Sequence, residues 1–273
     1  MFSDDTLMER LVLKGGNLLD IVYKLSTRAS VDVDLSIDGD FESFDDLNVR
    51  VERAIRLTYA EIDLVAFDIN IRSVPPRLSD DMKSFWGGYK IDFKLIESAR
   101  YRSFEKIDDL RRNSLSIGKR GSSKFCIDLS RHEYCESKRA ELLEGYTIFV
   151  YTPEMFVCEK LRAICQQMPA YVTIVRSHPS ARARDFVDIE VMCDRFDLDF
   201  NRAEFRDILL KTFEVKKVPL SLIARISEQR EFHRADFSAV LDTVKPNVKL
   251  EAFDFYFDYV LAKCEALKPL WNE

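Results

Sequence analysis

Val31-Asp32-Val33-Asp34-Leu35-Ser36-Ile37 alternates strictly between apolar and polar side chains. Along an extended strand successive side chains point to opposite faces, so Val31, Val33, Leu35 and Ile37 share one face and Asp32, Asp34 and Ser36 the other. The two carboxylates therefore point the same way, about 7 Å apart at the backbone. Both can reach one Mg²⁺ or hold a pair of ions, which is the arrangement phosphoryl-type transfer needs.

Upstream of this strand, residues 3–25 carry Leu7, Leu11, Leu18, Ile21, Val22 and Leu25 at helical spacing behind a candidate N-cap at Ser3. Gly15-Gly16 interrupts that pattern. Two adjacent glycines inside a helix cost on the order of 2 kcal/mol relative to alanine, so a turn is expected there, with a second helix from about Asn17 to Leu25. A turn feeding a helix N-terminus offers backbone N–H groups and the positive end of a dipole to a phosphate. Lys14 beside the turn, and Arg28 and Ser30 just before the carboxylates, are candidates to meet the same phosphates.

Downstream, residues 43–60 suit a helix and Leu64–Val74 a strand ending at Pro75-Pro76. Tyr89–Ile96 reads as another strand, with Lys90, Asp92 and Lys94 on its polar face. Short strands over Lys124–Leu129 and Tyr146–Tyr151 complete a mixed sheet of about five strands. Asp92 is the first candidate for a third metal-holding carboxylate and Asp68 the alternative, each on the polar face of its strand. After Thr152-Pro153 every segment reads as helix: 153–168, 181–195, 201–214, 219–230, 233–243 and 250–268. The fold expected is α/β (α+β), a sheet domain over 1–152 followed by a helical bundle over 153–273.

Composition narrows the function classes. The 273 residues carry a formal net charge of −6, which argues against broad adhesion to nucleic acid. Two local clusters are basic, one over about 100–140 and one at Arg176, Arg182 and Arg184. Six cysteines without a CxxC pair and three histidines indicate neither a zinc site nor a disulfide framework, and a reducing cytoplasm is expected. No stretch approaches the roughly 18 apolar residues of a membrane span, and the opening Met-Phe-Ser-Asp-Asp carries acids where a signal peptide needs positive charge and an apolar run, so export by such a signal is not expected. His132, His178 and His233 have no Ser or Cys partner at a recognisable spacing, which sets triad chemistry aside. The aromatics Phe253, Phe255, Tyr256, Phe257 and Tyr259 read as core packing rather than a base-stacking surface.

The run Leu13-Lys14-Gly15-Gly16-Asn17-Leu18, followed by Arg28-Ala29-Ser30-Val31-Asp32-Val33-Asp34-Leu35, resembles the opening signature of the AbiEii/AbiGii toxin family of nucleotidyltransferases, also called the DUF1814 group. Pro153-Glu154 with Lys160-Leu161-Arg162-Ala163, and Arg184-Asp185-Phe186-Val187-Asp188, are similar to two later elements of that family. The resemblance implies a nucleotidyltransferase-fold domain joined to a helical domain, with Mg²⁺ and a nucleoside triphosphate bound between them. It implies that Asp32 and Asp34 hold metal, that Gly15, Gly16 and Ser30 approach the phosphates, and that Lys160 and Asp185 complete the site. Asn17 stands where the family usually has Thr or Ser. By helical spacing alone, Lys160 lies on the border of its apolar stripe with its ammonium free, and the structural alternative for Asp185 and Asp188 is an internal salt bridge to Arg184 or to Lys160 that holds the two helices together.

The function expected is transfer of a nucleotidyl group from a triphosphate to an acceptor hydroxyl, with RNA, a tRNA 3′ end among its forms, or protein as acceptor. The resemblance adds a role as toxin of a type IV toxin-antitoxin or abortive-infection system, opposed by an antitoxin encoded nearby. The competing expectation is a catalytically inactive nucleotide-binding module of the same fold. A nuclease is disfavoured, because the Gly-Gly turn would have no role in it.

Overall fold

The computed structural model describes residues 1–25, 32–116, 121–175, 178–246 and 248–271. The chain divides into two compact units. One comprises Met1–Val22, Ser30–His132 and Ala140–Val150, and the other Tyr23–Ala29, Glu133–Arg139 and Tyr151–Glu273.

A mixed seven-stranded sheet forms the first unit: β1 (Leu11–Lys14), β2 (Val33–Ile37), β3 (Leu64–Val74), β4 (Gly88–Glu97), β5 (Phe125–Ser130), β6 (Arg139–Leu143) and β7 (Tyr146–Val150), in the order β3-β4-β5-β2-β1-β7-β6. The alternating stretch quoted above supplies the middle strand. β2 pairs antiparallel with β1, Lys14 opposite Asp34, and parallel with β5, Asp34 opposite Asp128. Helix α1 (Asp5–Arg10) precedes β1, and helix α2 (Phe44–Ala60) follows β2. Ser43 caps α2 by accepting from the Asp46 amide at 3.1 Å. Leu47, Val51, Ala54 and Ile55 recur at helical spacing and form its buried face.

Two expectations change here. Residues 11–14 are a strand, not helix, and α1 is capped by Asp4, which accepts from the Leu7 amide at 3.0 Å, rather than by Ser3. Leu11-Val12-Leu13-Lys14 is buried at all four positions between two neighbouring strands. A short run covered on both faces has no alternation to reveal it. The sheet accordingly has seven strands instead of about five, β6 being the other addition.

In the second unit α3 (Pro153–Cys165) starts as expected, with Pro153 in the first turn and the Thr152 hydroxyl accepting from the Met155 amide at 3.3 Å. Helices α4 (Ala183–Phe196) and α5 (Ala203–Glu214) pack with it, and α6 (Phe253–Cys264) packs on α4. A further short helix covers Pro169–Val175. The stretch expected as helix at 219–230 is 3₁₀ over Leu220–Gln229, and that at 233–243 falls into two short pieces, Arg230–Arg234 and Phe237–Leu241. Phe253, Tyr256 and Phe257 are buried, with Phe257 stacked on Phe186 at 5.0 Å between centroids, so these aromatics are core, while Phe255 is exposed. All six cysteines are free thiols. No helix among the described residues is long and apolar enough to cross a membrane.

Candidate active site

The site begins where β1 ends. Lys14 closes the strand, buried, and the chain turns at Gly15 into a helical turn, Gly15–Asn17, which continues as a π-helical segment, Leu18–Val22. Gly15 has φ +67°, a left-handed conformation that disfavours any side chain. Contact makes the same demand, because a Cβ on Gly15 would lie 2.3 Å from Oδ2 of Asp34. The turn and the second carboxylate of the pair are therefore in direct apposition. Asn17, buried behind the turn, donates from Nδ2 to the main-chain carbonyl of Asp32 at 2.6 Å. The departure from Thr or Ser thus has a physical role here, tying the turn to the carboxylate strand.

Asp32 is exposed and Asp34 half-buried. Asp34 is in register with Asp128 on the neighbouring parallel strand β5, and adjacent strands lie about 4.8 Å apart. Residues in register share a face of the sheet, so Asp34 and Asp128 lie side by side on it, while Asp32, expected within the strand, stands just before β2, which begins at Val33. Lys90 of β4 is in turn opposite Asp128, with Nζ 3.4 Å from each carboxylate oxygen. Asp128 is an acid beside Asp34 that the sequence reading did not single out. The signal was present, since Cys126, Asp128 and Ser130 form the polar face of an alternating strand, but nothing in the sequence says that this strand lies beside β2.

Asp92 and Asp68 are placed differently. Asp92 lies on β4, opposite Asn70 and Cys126, with β5 between it and β2. Its carboxylate forms an ion pair with Arg72, accepts from Cys126 Sγ at 3.2 Å and has Lys124 Nζ at 3.8 Å. Burial raises its pKa, but Arg72, Cys126 and Lys124 outweigh that and hold it below the usual carboxylate range. Asp68 sits at the bulge in β3 with φ +54° and receives two bonds from Arg111, at 2.7 and 2.8 Å, which lower its pKa. Both acids line a cavity of about 160 Å³ together with Asn70, Phe93, Lys94 and Lys124. Arg28 and Ser30 lie outside the described residues.

Among the described residues no group of three or more His, Cys, Asp or Glu side chains is gathered for a metal ion. Mg²⁺ commonly takes one or two carboxylates and completes its shell with water and substrate phosphates, so a hard-oxygen pair of half-open carboxylates beside a backbone turn fits that ion. Glycine at position 15, where a side chain would strike Asp34, leaves that approach clear.

The helical unit has a polar centre of its own. Lys160 is buried, with Nζ 2.7 Å from Asp185 and 2.9 Å from Asp188 and 4.9 Å from the Phe156 ring centroid. Its ammonium is thus paired rather than free on the border of a stripe. Burial lowers its pKa, but Asp185, Asp188 and Glu159 outweigh burial and raise it. Arg182 reaches Asp185 Oδ2 at 3.6 Å, and its amide donates to Nδ1 of buried His233 at 3.0 Å. Burial lowers the His233 pKa to about 4, against a smaller raising effect of Asp185, so this imidazole is neutral at pH 7.

Comparison with known proteins supplies the frame for this chemistry. Residues 1–259 match the model of the family described as nucleotidyl transferase AbiEii toxin, type IV TA system. Among solved structures, the chain is similar to a candidate nucleotidyltransferase from H. pylori, with 17% identity, TM-score 0.47 and coverage of 96% of this chain and 91% of that one. It is also similar to JHP933 from Helicobacter pylori, with 17% identity, TM-score 0.46 and coverage of 98% and 90%. A third, an antigenic nucleotidyltransferase-like protein from Paracoccidioides brasiliensis, has 15% identity, TM-score 0.33 and coverage of 78% and 84%. No curated protein matches the sequence. The chain belongs to the AbiEii family of nucleotidyl transferase toxins of type IV toxin-antitoxin systems, and it is a nucleotidyltransferase.

Proposed function

We propose, with that membership as premise, that the chain transfers a nucleotidyl group from a nucleoside triphosphate to an acceptor hydroxyl, and that Asp32, Asp34 and Asp128 hold the Mg²⁺ this requires. The observation that carries the proposal is the apposition of the Gly15 turn to Asp34, with Asp128 in register beside it. The main chain at Lys14, Gly15 and Gly16 receives the phosphates through its amides, and Asn17 holds that turn against the Asp32 backbone. Bound Mg²⁺ would neutralise charge developing on the triphosphate. Asp128, on the strand next to Asp34, is proposed to face the acceptor hydroxyl. Asp92, committed to Arg72 and Cys126, is the weaker candidate for third carboxylate.

In the helical unit, Lys160 and Asp185 enter the proposal as a preorganised polar centre in which Lys160 fixes the direction of Asp185. The acceptor proposed is RNA, a tRNA 3′ end being one form of it, or protein, and the partner proposed is an antitoxin encoded nearby. The test is incubation with each α-³²P-labelled nucleoside triphosphate, Mg²⁺, total RNA and cell protein, beside an Asp32→Ala/Asp34→Ala control. Label is expected in one acceptor class with the wild type alone. Triphosphate binding without transfer under every condition would instead establish the inactive nucleotide-binding module.

A further inference from the structure

Across the polar face of the sheet, register places Lys14, Asp34, Asp128, Lys90 and Arg72 in a single cross-strand row, from β1 through β2, β5 and β4 to β3. The cations of that row are held in different ways. Lys14 is buried at the end of β1, and Arg72 forms an ion pair with Asp92. Lys90 faces the carboxylate of Asp128, and its contact is loose. Nζ stands 3.4 Å from both oxygens, beyond the roughly 2.7–2.9 Å of a tight charge-assisted hydrogen bond. The Lys90 and Asp128 side chains are 31% and 41% exposed, so opening the pair strands no charge in an apolar interior. A solvent-reached ion pair of this kind is worth little to folding and yields readily to a stronger cation.

We propose that Lys90 is a built-in counter-ion for Asp128, a positioning residue that takes the electrostatic place of the divalent ion while that ion is away and gives way when it binds. The inference rests on the reading of Asp34 and Asp128 as metal-holding carboxylates. Lys90 stands on the side of Asp128 away from Asp34 and offsets the charge of Asp128, which reduces its repulsion with Asp34 in the metal-free site. A divalent ion entering at Asp128 displaces the ammonium from the carboxylate, and removal of a competing cation leaves a site that binds the ion more tightly. Loss of a merely structural lysine has no such effect, because damage to the strand would weaken the site.

The test is Mn²⁺ binding without nucleotide, followed by electron paramagnetic resonance and calorimetry, on wild type, Lys90→Met, Lys90→Gln, Lys90→Arg and Asp128→Asn. Both neutral variants are expected to bind Mn²⁺ roughly three- to tenfold more tightly, the size given by removing a unit charge several ångströms from a divalent ion in a mostly aqueous setting. Lys90→Arg is expected to stay near wild type, and Asp128→Asn to lose affinity. If Asp128→Asn weakens binding while the neutral Lys90 variants bind as wild type or more weakly, the counter-ion role is overturned and the carboxylate reading stands. If Asp128→Asn binds Mn²⁺ as wild type does, both are overturned.

Discussion

Two lysine–carboxylate contacts in this protein use the same chemistry to opposite ends. Lys90 and Asp128 meet loosely at 3.4 Å, each partly open to solvent, whereas Lys160 is sealed between Asp185 and Asp188 at 2.7 and 2.9 Å with all three buried. The first contact can be exchanged for a bound cation at small cost. The second cannot open without leaving charge in a low-dielectric interior. Environment, more than residue type, separates an acid free to hold a ligand from an acid that holds the fold.

The largest contrast comes from exchanging one member of each group. Asp34→Asn is expected to lower nucleotidyl transfer roughly a thousandfold, through loss of charge stabilisation at the reacting phosphate, with urea unfolding near wild type. Lys160→Met should do the reverse to folding. It leaves Asp185 and Asp188 buried against each other and is expected to cost about 3–5 kcal/mol in the same unfolding experiment, with Lys160→Arg recovering part of that. Equal destabilisation by both variants would erase the distinction.

Acid sharpens the comparison. His233 has a folded pKa of about 4, against about 6.5 when unfolded. The unfolded chain therefore binds the extra proton first. Stability from this residue is complete above about pH 6.5, falls as pH drops toward 4 at up to about 1.4 kcal/mol per unit, and levels off below. Unfolding midpoints measured across that window should show the slope in wild type and a flatter profile in His233→Asn, whose amide oxygen can still accept from the Arg182 amide.

Smaller effects belong to the turn. Gly15→Ala is expected to cost about 1–2 kcal/mol for the left-handed backbone, and to reduce transfer as well, because the new methyl displaces Asp34. Asn17→Ala removes the bond to the Asp32 carbonyl and should cost about 1 kcal/mol. If Gly15→Ala kept full transfer, the apposition of turn and carboxylate would have no functional meaning.

The sequence made the polar half of this architecture legible, residue by residue. Alternation located the strand that carries Asp34, though it begins at Val33 and leaves Asp32 just before it, the Thr152-Pro153 cap marked the start of α3, and two glycines betrayed the turn. Burial erased the rest. Leu11–Lys14 is enclosed on both faces and so carries no period, which hid β1 inside an apparent helix. Asp128 stayed unassigned because β2 and β5 pair in parallel across some ninety residues of chain, and pairing of that range leaves no local signature. Lys160 looked like a border residue for a related reason, since its two acid partners come from another helix and only Asp185 and Asp188 explain its burial. Asp92 drew attention as an acid on a polar face, yet Arg72 and Cys126 reach it from the neighbouring strands.

The choice between Asp128 and Asp92 is where the account is most directly exposed. Nucleotidyl transfer should be measured for Asp128→Asn and Asp92→Asn side by side, at saturating Mg²⁺ and triphosphate, with the folded fraction of each checked by thermal unfolding. The account predicts near-complete loss with Asp128→Asn and substantial retention with Asp92→Asn. Retained transfer in Asp128→Asn, with loss in a folded Asp92→Asn, would contradict it and move the third carboxylate to β4.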